Sequence, residues 1–164
     1  MAEQKNIILI SACLIGMKTT YHGKSNFRRE LAELFSRGCV IPVCPEQLGG
    51  LPTPRLPSEI ENTRTADVVN GSGRVLRRDG VDVTEQFRRG AAEVIRIAQL
   101  LKPAYVIFKE RSPSCGVHFI YDGTFSNRVV EGEGVTTAVL RRHGYTVFSE
   151  EDFEKSPGKE HKTL

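Results

Sequence analysis

Four short apolar runs along the chain have the character of strands that are covered on both faces. They lack the alternation of a half-exposed strand and are rich in Ile and Val. The runs span residues 6–11, 40–43, 105–108 and 146–148. Parallel strands inside an α/β domain have this pattern, so the runs predict the strands of a central sheet.

Between these runs, apolar positions recur at helical spacing. The strongest such segment begins at Thr84 and stops before Pro103, and its apolar stripe consists of Phe87, Ala91, Val94, Ile95, Ala98 and Leu101. Shorter helices are predicted over 27–37, with Asn26 as the cap, and over 134–140. Strands that alternate with helices predict an α/β domain of three layers with a mainly parallel, Rossmann-like sheet.

Other segments are marked by turn residues. The stretch 45–57 is rich in Pro and Gly, and we expect neither helix nor central strand there. Asp79-Gly80 between 74–77 and 81–83 predicts a small β-hairpin insertion. Asp122-Gly123 predicts a second turn between two short strands within 119–125.

Length and charge narrow the function classes. The 164 residues suffice for one domain, expected over 1–150, with 151–164 as a polar tail that is frayed from Glu150 onwards. The net charge of +3 is small and the basic pairs are scattered, which argues against a duplex-DNA binder. No apolar run approaches the roughly 20 residues that cross a bilayer, and the first residues lack a signal-peptide layout. We therefore expect a soluble, cytoplasmic protein without a membrane partner.

Three of the four cysteines follow predicted strands at their carboxyl ends. Cys13 follows the first strand, Cys44 the second and Cys115 the third. The carboxyl ends of parallel strands share one edge of a sheet, where ligands bind, so we expect the three thiols to gather there. Cys39 begins a strand at the opposite end and is interpreted as a buried hydrophobic residue.

Three thiols at one edge of the sheet can be interpreted in two ways, as ligands of a metal centre or as unrelated residues. A structural zinc site uses four protein ligands, commonly in closely spaced pairs, and these cysteines have no such spacing. Soft thiolates in an incomplete set suit an iron–sulfur cluster with one iron not bound by protein, and such an iron is a Lewis acid. The alternative is three unrelated thiols.

Several neighbouring residues are candidate participants, each with an ordinary structural alternative. Glu46 is a candidate general acid or base, and Ser112 or Ser114 would orient water or substrate; the alternatives are a surface glutamate and turn serines. Lys24 and Ser25 are candidate anion contacts, although Lys18 stands where a phosphate-binding loop requires Gly. Lys109 follows a strand at the expected functional edge, where it would face substrate or join a salt-bridged rim.

Four blocks of the sequence, in this order along the chain, resemble the thiouracil desulfidase family. The blocks are 11–16 (SACLIG), 44–55 (CPEQLGGLPTPR), 79–84 (DGVDVT) and 109–116 (KERSPSCG), and the resemblance covers residues 7–150. It implies a 4Fe–4S cluster bound by Cys13, Cys44 and Cys115, and catalytic roles for Glu46 and Ser112. One position departs from the family: many relatives have Arg-Tyr-Asp-Gly where this chain has Thr-Tyr-His-Gly, so that His22 replaces an acid.

The activity implied by the resemblance is removal of sulfur from small thiolated pyrimidines with release of hydrogen sulfide. The substrate is a free base such as 2- or 4-thiouracil, a nucleoside such as 4-thiouridine, or its monophosphate; thiolated tRNA is a less favoured alternative. The iron without a protein ligand would accept the soft sulfur, Glu46 would activate water, and Ser112 would position water or a ring proton. No net electron transfer is required, and the chain has no dinucleotide-binding GxGxxG.

Two other functions compete with the desulfidase. One is a non-catalytic iron–sulfur or metal-sensing module, in which Glu46 and Ser112 would have no chemical role. The other is a metal-free cysteine hydrolase, for which His22 would be the base.

Overall fold

The central sheet contains four parallel strands, which confirms the predicted parallel sheet. The structure is a computed structural model that describes residues 6–155, without the side chains of 36, 37, 39 and 154, so the role predicted for the Cys39 side chain lies outside the described residues. The strands are β1 (Ile7–Ser11), β2 (Cys39–Val43), β5 (Tyr105–Phe108) and β8 (Val147–Ser149). Their order across the sheet is β2-β1-β5-β8.

Apolar side chains of the central sheet are buried on both of its faces, as the continuous apolar runs in the sequence predict. One face, with Leu9, Val106 and Phe108, packs against helices α5 (Thr84–Leu101) and α6 (Val135–Arg142). The other face, with Ile8, Ile10 and Ile107, packs against Leu14, Leu31 and the partly buried Phe153. The domain therefore has three layers.

The predicted helix over 27–37 is replaced by two helical turns, α1 (Arg29–Ala32) and α2 (Leu34–Arg37). Asn26 does not cap them, because the N-cap of α1 is Arg28. The N–H groups of Asn26 and Arg28 bond to the carbonyls of Cys13 and Leu14 at 2.9 and 2.8 Å. These bonds tie the segment to the turn after β1 and delay the start of the helix.

A short helix, α3 (Pro45–Leu48), forms in the stretch where the Pro/Gly content predicted none. Proline is tolerated in the first helical turn, which lacks intrahelical partners for its N–H groups. The helix lies so close to α5 that a Cβ on Gly90 would stand 2.0 Å from the Pro45 carbonyl oxygen. Glycine at this crossing holds α3, and with it the end of β2, against the core.

Two small antiparallel pairs lie outside the central sheet. Strand β3 (Ser58–Ile60) pairs with β4 (Val75–Arg77), and β6 (Phe119–Tyr121) pairs with β7 (Val129–Glu131). The predicted turn at Asp79-Gly80 exists, but residues 81–83 form only an isolated bridge to β4. The second strand predicted within 119–125 is also wrong, since the partner of β6 begins at Val129. A further helix that the pattern did not predict is α4 (Thr65–Asn70).

The segment from Glu150 begins as an ordered helix, α7 (Glu150–Glu154), so its expected fraying is wrong for these residues. Ser149 and Asp152 form a reciprocal capping box: each side chain accepts a hydrogen bond from the other's backbone N–H. Throughout residues 6–155, every helix is too short or too polar to cross a membrane.

Candidate active site

The topology creates a crevice at the carboxyl end of β1. The chain passes from β1 to β2 on one side and then crosses to β5 on the other, so the strand order reverses at β1. Open α/β sheets bind ligands at such a switch point. A cavity of about 330 Å³ lies here, and its lining includes Cys13, Cys44 and Cys115.

Each thiol comes from a different segment that follows a strand. Cys13 lies in a 3-10 turn (Ala12–Ile15) directly after β1, and Cys44 is the N-cap residue of α3 after β2. Cys115 lies in the loop after β5. Cys13 and Cys115 are buried, whereas Cys44 is half-buried. The expected gathering of the three cysteines around one cavity is what the fold produces.

The hydrogen bonds to these thiols come from polar groups around the crevice. Asn26 Nδ2 donates to Cys13 Sγ at 3.6 Å, and the Cys44 thiol donates to the carbonyl oxygen of Thr19 at 3.8 Å. Ser11 Oγ accepts the N–H of Lys109 at 3.0 Å, and the same side chain opposes the rise in the pKa of Cys115.

Burial is the main cause that raises the pKa of all three thiols. The pKa of Cys115 lies well above its ordinary value because the thiol is buried and because Cys44 and Cys13 are close. Burial likewise raises the pKa of Cys13 and Cys44. Three adjacent thiolates therefore need compensating positive charge, which bound metal ions supply.

The donor set, three soft thiols, is chemically compatible with a polynuclear cluster. Within residues 6–155, no three His, Cys, Asp or Glu side chains are arranged to hold one metal ion. The three thiols instead stand around a common cavity. Soft sulfur ligands that bind different metal atoms are the donor set of an iron–sulfur cluster.

A nearly buried ion pair forms another wall of the cavity. Glu46, in the first turn of α3, accepts a hydrogen bond from Arg55 Nε at 2.6 Å, and the two side chains are only 14% and 5% exposed. The Arg55 guanidinium also donates to the carbonyl oxygens of Thr19 and Pro52 and to Thr53 Oγ1. These bonds fix the guanidinium, which in turn fixes the Glu46 carboxylate.

Ser112 lines the cavity and organises the turn that carries Cys115. Its Oγ accepts the N–H groups of Ser114 and Cys115 at 3.2 and 3.0 Å, and its carbonyl accepts the N–H of Gly116 at 2.8 Å. Both lone pairs of the hydroxyl are then in use. The hydroxyl hydrogen remains available for an acceptor in the cavity.

Comparison with known proteins places the chain among the desulfurases. The sequence model of the 2-thiouracil desulfurase family matches residues 8–152. The chain belongs to this family. The uncharacterized protein YbbK of Bacillus subtilis (strain 168) is 42% identical over 146 residues, which are 89% of this chain and 97% of that protein.

A solved structure is also similar over nearly the full length. It is a 4Fe-4S-dependent thiouracil desulfidase, TudS, and it matches with a TM-score of 0.81 and 39% identity, covering 92% of this chain and 95% of that chain. The family expected from the four sequence blocks is thereby confirmed, as is the α/β fold.

In this desulfurase fold, three of the four candidate substrate contacts lie outside the cavity lining and the fourth, Lys109, lies in it. Lys24, Ser25 and Ser114 are not among the residues that line the cavity. Lys24 is exposed, and Ser114 is buried with its Oγ 3.0 Å from Thr136 Oγ1. Lys109 does line the cavity, but its Nζ is held 2.7 Å from Glu150 Oε1.

Arg55, Ser11 and Asn26 are the site residues of this desulfurase fold that sequence reasoning missed. Arg55 closes the second of the four sequence blocks, nine positions after Glu46, which was the one available signal. Ser11 stands at the end of the first strand, two residues before Cys13, and Asn26 has the sequence pattern of a helix cap. Their contacts depend on how separate loops meet.

Proposed function

We propose that this chain is a desulfidase that exchanges the thiocarbonyl sulfur of a thiolated pyrimidine for oxygen and releases hydrogen sulfide. Membership of the 2-thiouracil desulfurase family and the likeness to a 4Fe-4S-dependent thiouracil desulfidase support this activity. The observation that carries the proposal is the shared cavity, in which three thiols stand together with the Glu46–Arg55 pair.

Cys13, Cys44 and Cys115 are the residues that we infer hold the 4Fe–4S cluster, with one iron not bound by protein. When bound, the cluster would supply a Lewis acid for the soft thiocarbonyl sulfur. Burial raises the pKa of these three thiols, so bound metal ions would supply the positive charge that their thiolate forms need.

Glu46 is the general base in this proposal. Arg55 Nε occupies Oε2, whereas Oε1 has no donor among residues 6–155 and is free to accept a proton from water. The water oxygen then bonds to the thiocarbonyl carbon, and the carbon–sulfur bond breaks. The net exchange converts a thiocarbonyl and water into a carbonyl and hydrogen sulfide without electron transfer, and general acid–base help of this kind contributes about 10²–10⁴-fold.

Ser112 orients the reacting groups. Because backbone N–H groups occupy its lone pairs, its hydroxyl acts as a donor toward the attacking water or a ring acceptor. The hydroxyl stands in the same turn as Cys115, which couples its position to that of the sulfur-binding centre.

The cavity supports a small substrate. Its volume of about 330 Å³ lies near the lower end of the roughly 300–1,000 Å³ typical of small-molecule sites. Because the cluster would share this cavity, we infer a small thiolated pyrimidine as the substrate, in preference to a thiolated tRNA. The candidates are 2-thiouracil, 4-thiouracil, 4-thiouridine and 4-thiouridine monophosphate.

The test is anaerobic reconstitution with iron and sulfide, followed by turnover of these four compounds, scored by hydrosulfide release and loss of thiocarbonyl absorbance. Cys13→Ser should lose iron and turnover together, whereas Cys39→Ser, at the opposite end of β2 from Cys44, should keep both. Glu46→Gln should keep iron but lose turnover, whereas Glu61→Gln, beside Arg74, should match the wild type.

Two results would contradict the proposal. A fully reconstituted protein that releases no hydrosulfide from any of the four compounds would favour the metal-sensing module. Turnover that is unchanged after removal of the metal would favour a cysteine hydrolase instead.

A further inference from the structure

A polar turn at the cavity wall fixes the tautomer of His22. Thr20 Oγ1 donates its single hydrogen to the carbonyl oxygen of Lys24 at 2.7 Å and accepts the Lys24 N–H at 2.9 Å. The same oxygen is hydrogen-bonded to His22 Nδ1. Because the hydroxyl hydrogen is already used, Nδ1 must carry the hydrogen of that bond. The neutral imidazole then presents Nε2 as an acceptor.

The His22 ring is held in a defined plane at the cavity. It stacks on Tyr21 with the ring centroids 4.7 Å apart and an interplanar angle of 25°. Both rings line the cavity that holds the three thiols. The Tyr21 carbonyl also accepts the N–H of Arg55 at 2.7 Å, so the turn is anchored to the segment that orients Glu46. Within the part of the chain that the structure describes, Nε2 has no hydrogen-bond partner.

Three carboxylates in the cavity lining each have a protein donor on one oxygen. Glu46 Oε2 binds Arg55, Glu59 Oε2 accepts the N–H of Phe125 at 3.0 Å, and Glu110 Oε1 accepts several backbone N–H groups, while Glu110 Oε2 is buried without a partner among the described residues. His22 Nε2 differs from these groups because it belongs to a ring instead of a carboxylate, and it has no donor among the described residues. A neutral N–H group on a substrate is the matching donor, since it brings no charge that must be compensated.

We propose that His22 is a specificity-determining residue whose Nε2 accepts a hydrogen bond from the pyrimidine N3–H. This assignment rests on the proposed function, because it takes the cavity as the thiopyrimidine site. His22 would then favour uracil-type rings, in which N3 carries a hydrogen, over cytosine-type rings or N3-methylated rings, in which it does not. Thr20 acts through His22 as a positioning residue.

The test uses reconstituted protein and the reaction products as inhibitors. Wild type is first assayed on the four compounds of the proposed function. Inhibition constants are then measured for the product of the substrate that reacts (uracil, uridine or uridine monophosphate) and for the N3-methyl derivative of that product. Loss of one hydrogen bond predicts roughly tenfold weaker binding of the methylated product by the wild type.

The variants separate recognition from folding. His22→Phe keeps an aromatic ring beside Tyr21 but lacks Nε2, so it should bind both products about equally. His22→Gln retains an acceptor and should recover part of the preference. His143→Phe, on an exposed histidine at the end of α6, is the matched control and should keep the tenfold ratio. Far-UV circular dichroism and iron content should be the same in all four proteins.

The outcomes distinguish failure of the His22 assignment from failure of the proposed function. If the wild type turns over a substrate and His22→Phe retains the wild-type preference for the unmethylated product, the assignment of His22 is wrong while the proposed function stands. If the wild type prefers the methylated product or binds both equally, the assignment also fails. If the wild type turns over none of the four compounds, the proposed function fails and the assignment falls with it.

Discussion

Lys109 Nζ lies 2.7 Å from Glu150 Oε1, and this ion pair joins the end of β5 to the first residue of α7. Glu150 is buried, with 1% of its side chain exposed, and its other oxygen accepts the N–H of Glu110 at 2.7 Å. The C-terminal helix is therefore bound directly to the strand end that leads into the Cys115 loop.

Two further contacts follow in register. Arg111 forms an ion pair with Glu151, and His118 Nε2 lies within hydrogen-bond distance of Asp152 Oδ2, at 3.0 Å. Three successive acidic residues at the start of α7 thus contact residues on both sides of Cys115. We call this set of pairs (Lys109, Arg111 and His118 with 150–152) the C-terminal clasp, and we infer that it holds the cysteine loop in place.

The C-terminal clasp predicts that replacing its buried residue, Glu150, lowers the free energy of unfolding. Glu150→Gln leaves Lys109 without its partner, and breaking a buried ion pair costs about 3–5 kcal/mol. Lys109 is 21% exposed, so solvent compensates it in part and we expect a loss of about 2–3 kcal/mol in the free energy of unfolding. Urea denaturation measures this loss.

The matched control is Glu93→Gln, whose partner Arg96 lies 3.8 Å away on the exposed face of α5. Such exposed pairs contribute less than about 1 kcal/mol. Equal losses for the two variants would show that the clasp is no stronger than a surface ion pair.

The clasp also illustrates which parts of the fold the sequence could predict. The central strands were readable because apolar runs such as Tyr105–Phe108 are covered on both faces, and burial leaves a local pattern. Helix α7 is held mainly by charges whose partners lie far away in the sequence, so its residues resemble a polar tail. Helix α3 was missed because its packing depends on a distant glycine, Gly90.

The candidate site divides in the same way. The positions of Cys13, Cys44 and Cys115 after strands were enough to predict that they meet, because parallel strands align their carboxyl ends. The Arg55–Glu46 hydrogen bond depends on the conformation of the loop between the two residues. A loop has no periodic hydrophobic pattern from which that conformation could be predicted. Ser114 looked equivalent to Ser112 in sequence, but the turn sends its side chain to Thr136 instead of the cavity.

Arg55 should matter for rate more than for binding. Arg55→Ala removes the donor that fixes Glu46, and misplacement of a catalytic group by about 1 Å costs up to roughly 10²-fold. We expect kcat to fall about 10- to 100-fold with a smaller change in KM. Arg55→Lys keeps the charge but loses the planar fork, so it should recover only part of kcat.

Arg74→Ala is the control for this experiment, because Arg74 also pairs with a glutamate, Glu61, but in a more exposed setting. It should leave kcat unchanged. An Arg55→Ala enzyme with the wild-type kcat would show that Glu46 needs no orienting partner.

Glu110 predicts a loss of stability in acid. Burial alone would raise its pKa, but hydrogen bonds from the N–H groups of Phe119, His118, Val117 and Arg111 outweigh burial and lower it. A carboxyl with a lowered native pKa stabilises the fold above its unfolded pKa of about 4.3, and this contribution is lost as pH falls through the native pKa.

Glu110→Gln tests this directly, because it keeps the shape and an acceptor but removes the charge. At pH 7 the variant should be less stable by about 1–3 kcal/mol, and the difference should shrink below about pH 4.3. Urea denaturation across this range measures it. A difference that stays constant with pH would mean that the carboxylate charge does not contribute.

Gly134 is where α6 meets the cysteine turn. The first N–H groups of α6 and its N-cap bond to the carbonyls of Pro113, Ser114 and Gly116 at 2.8–2.9 Å. A Cβ on Gly134 would stand 2.4 Å from the Ser114 carbonyl carbon and 2.7 Å from the Cys115 nitrogen, so the turn would have to move.

Gly134→Ala should therefore disturb the proposed metal centre as well as the fold. Overpacking of this kind costs about 1–3 kcal/mol, and displacement of Cys115 should lower the iron content after anaerobic reconstitution. Gly38→Ala is the control, since its backbone is extended and the nearest atom to a Cβ there lies 3.7 Å away. If Gly134→Ala bound iron like the wild type and lost no stability, the Cys115 turn would accommodate the added methyl group, and the prediction would be wrong.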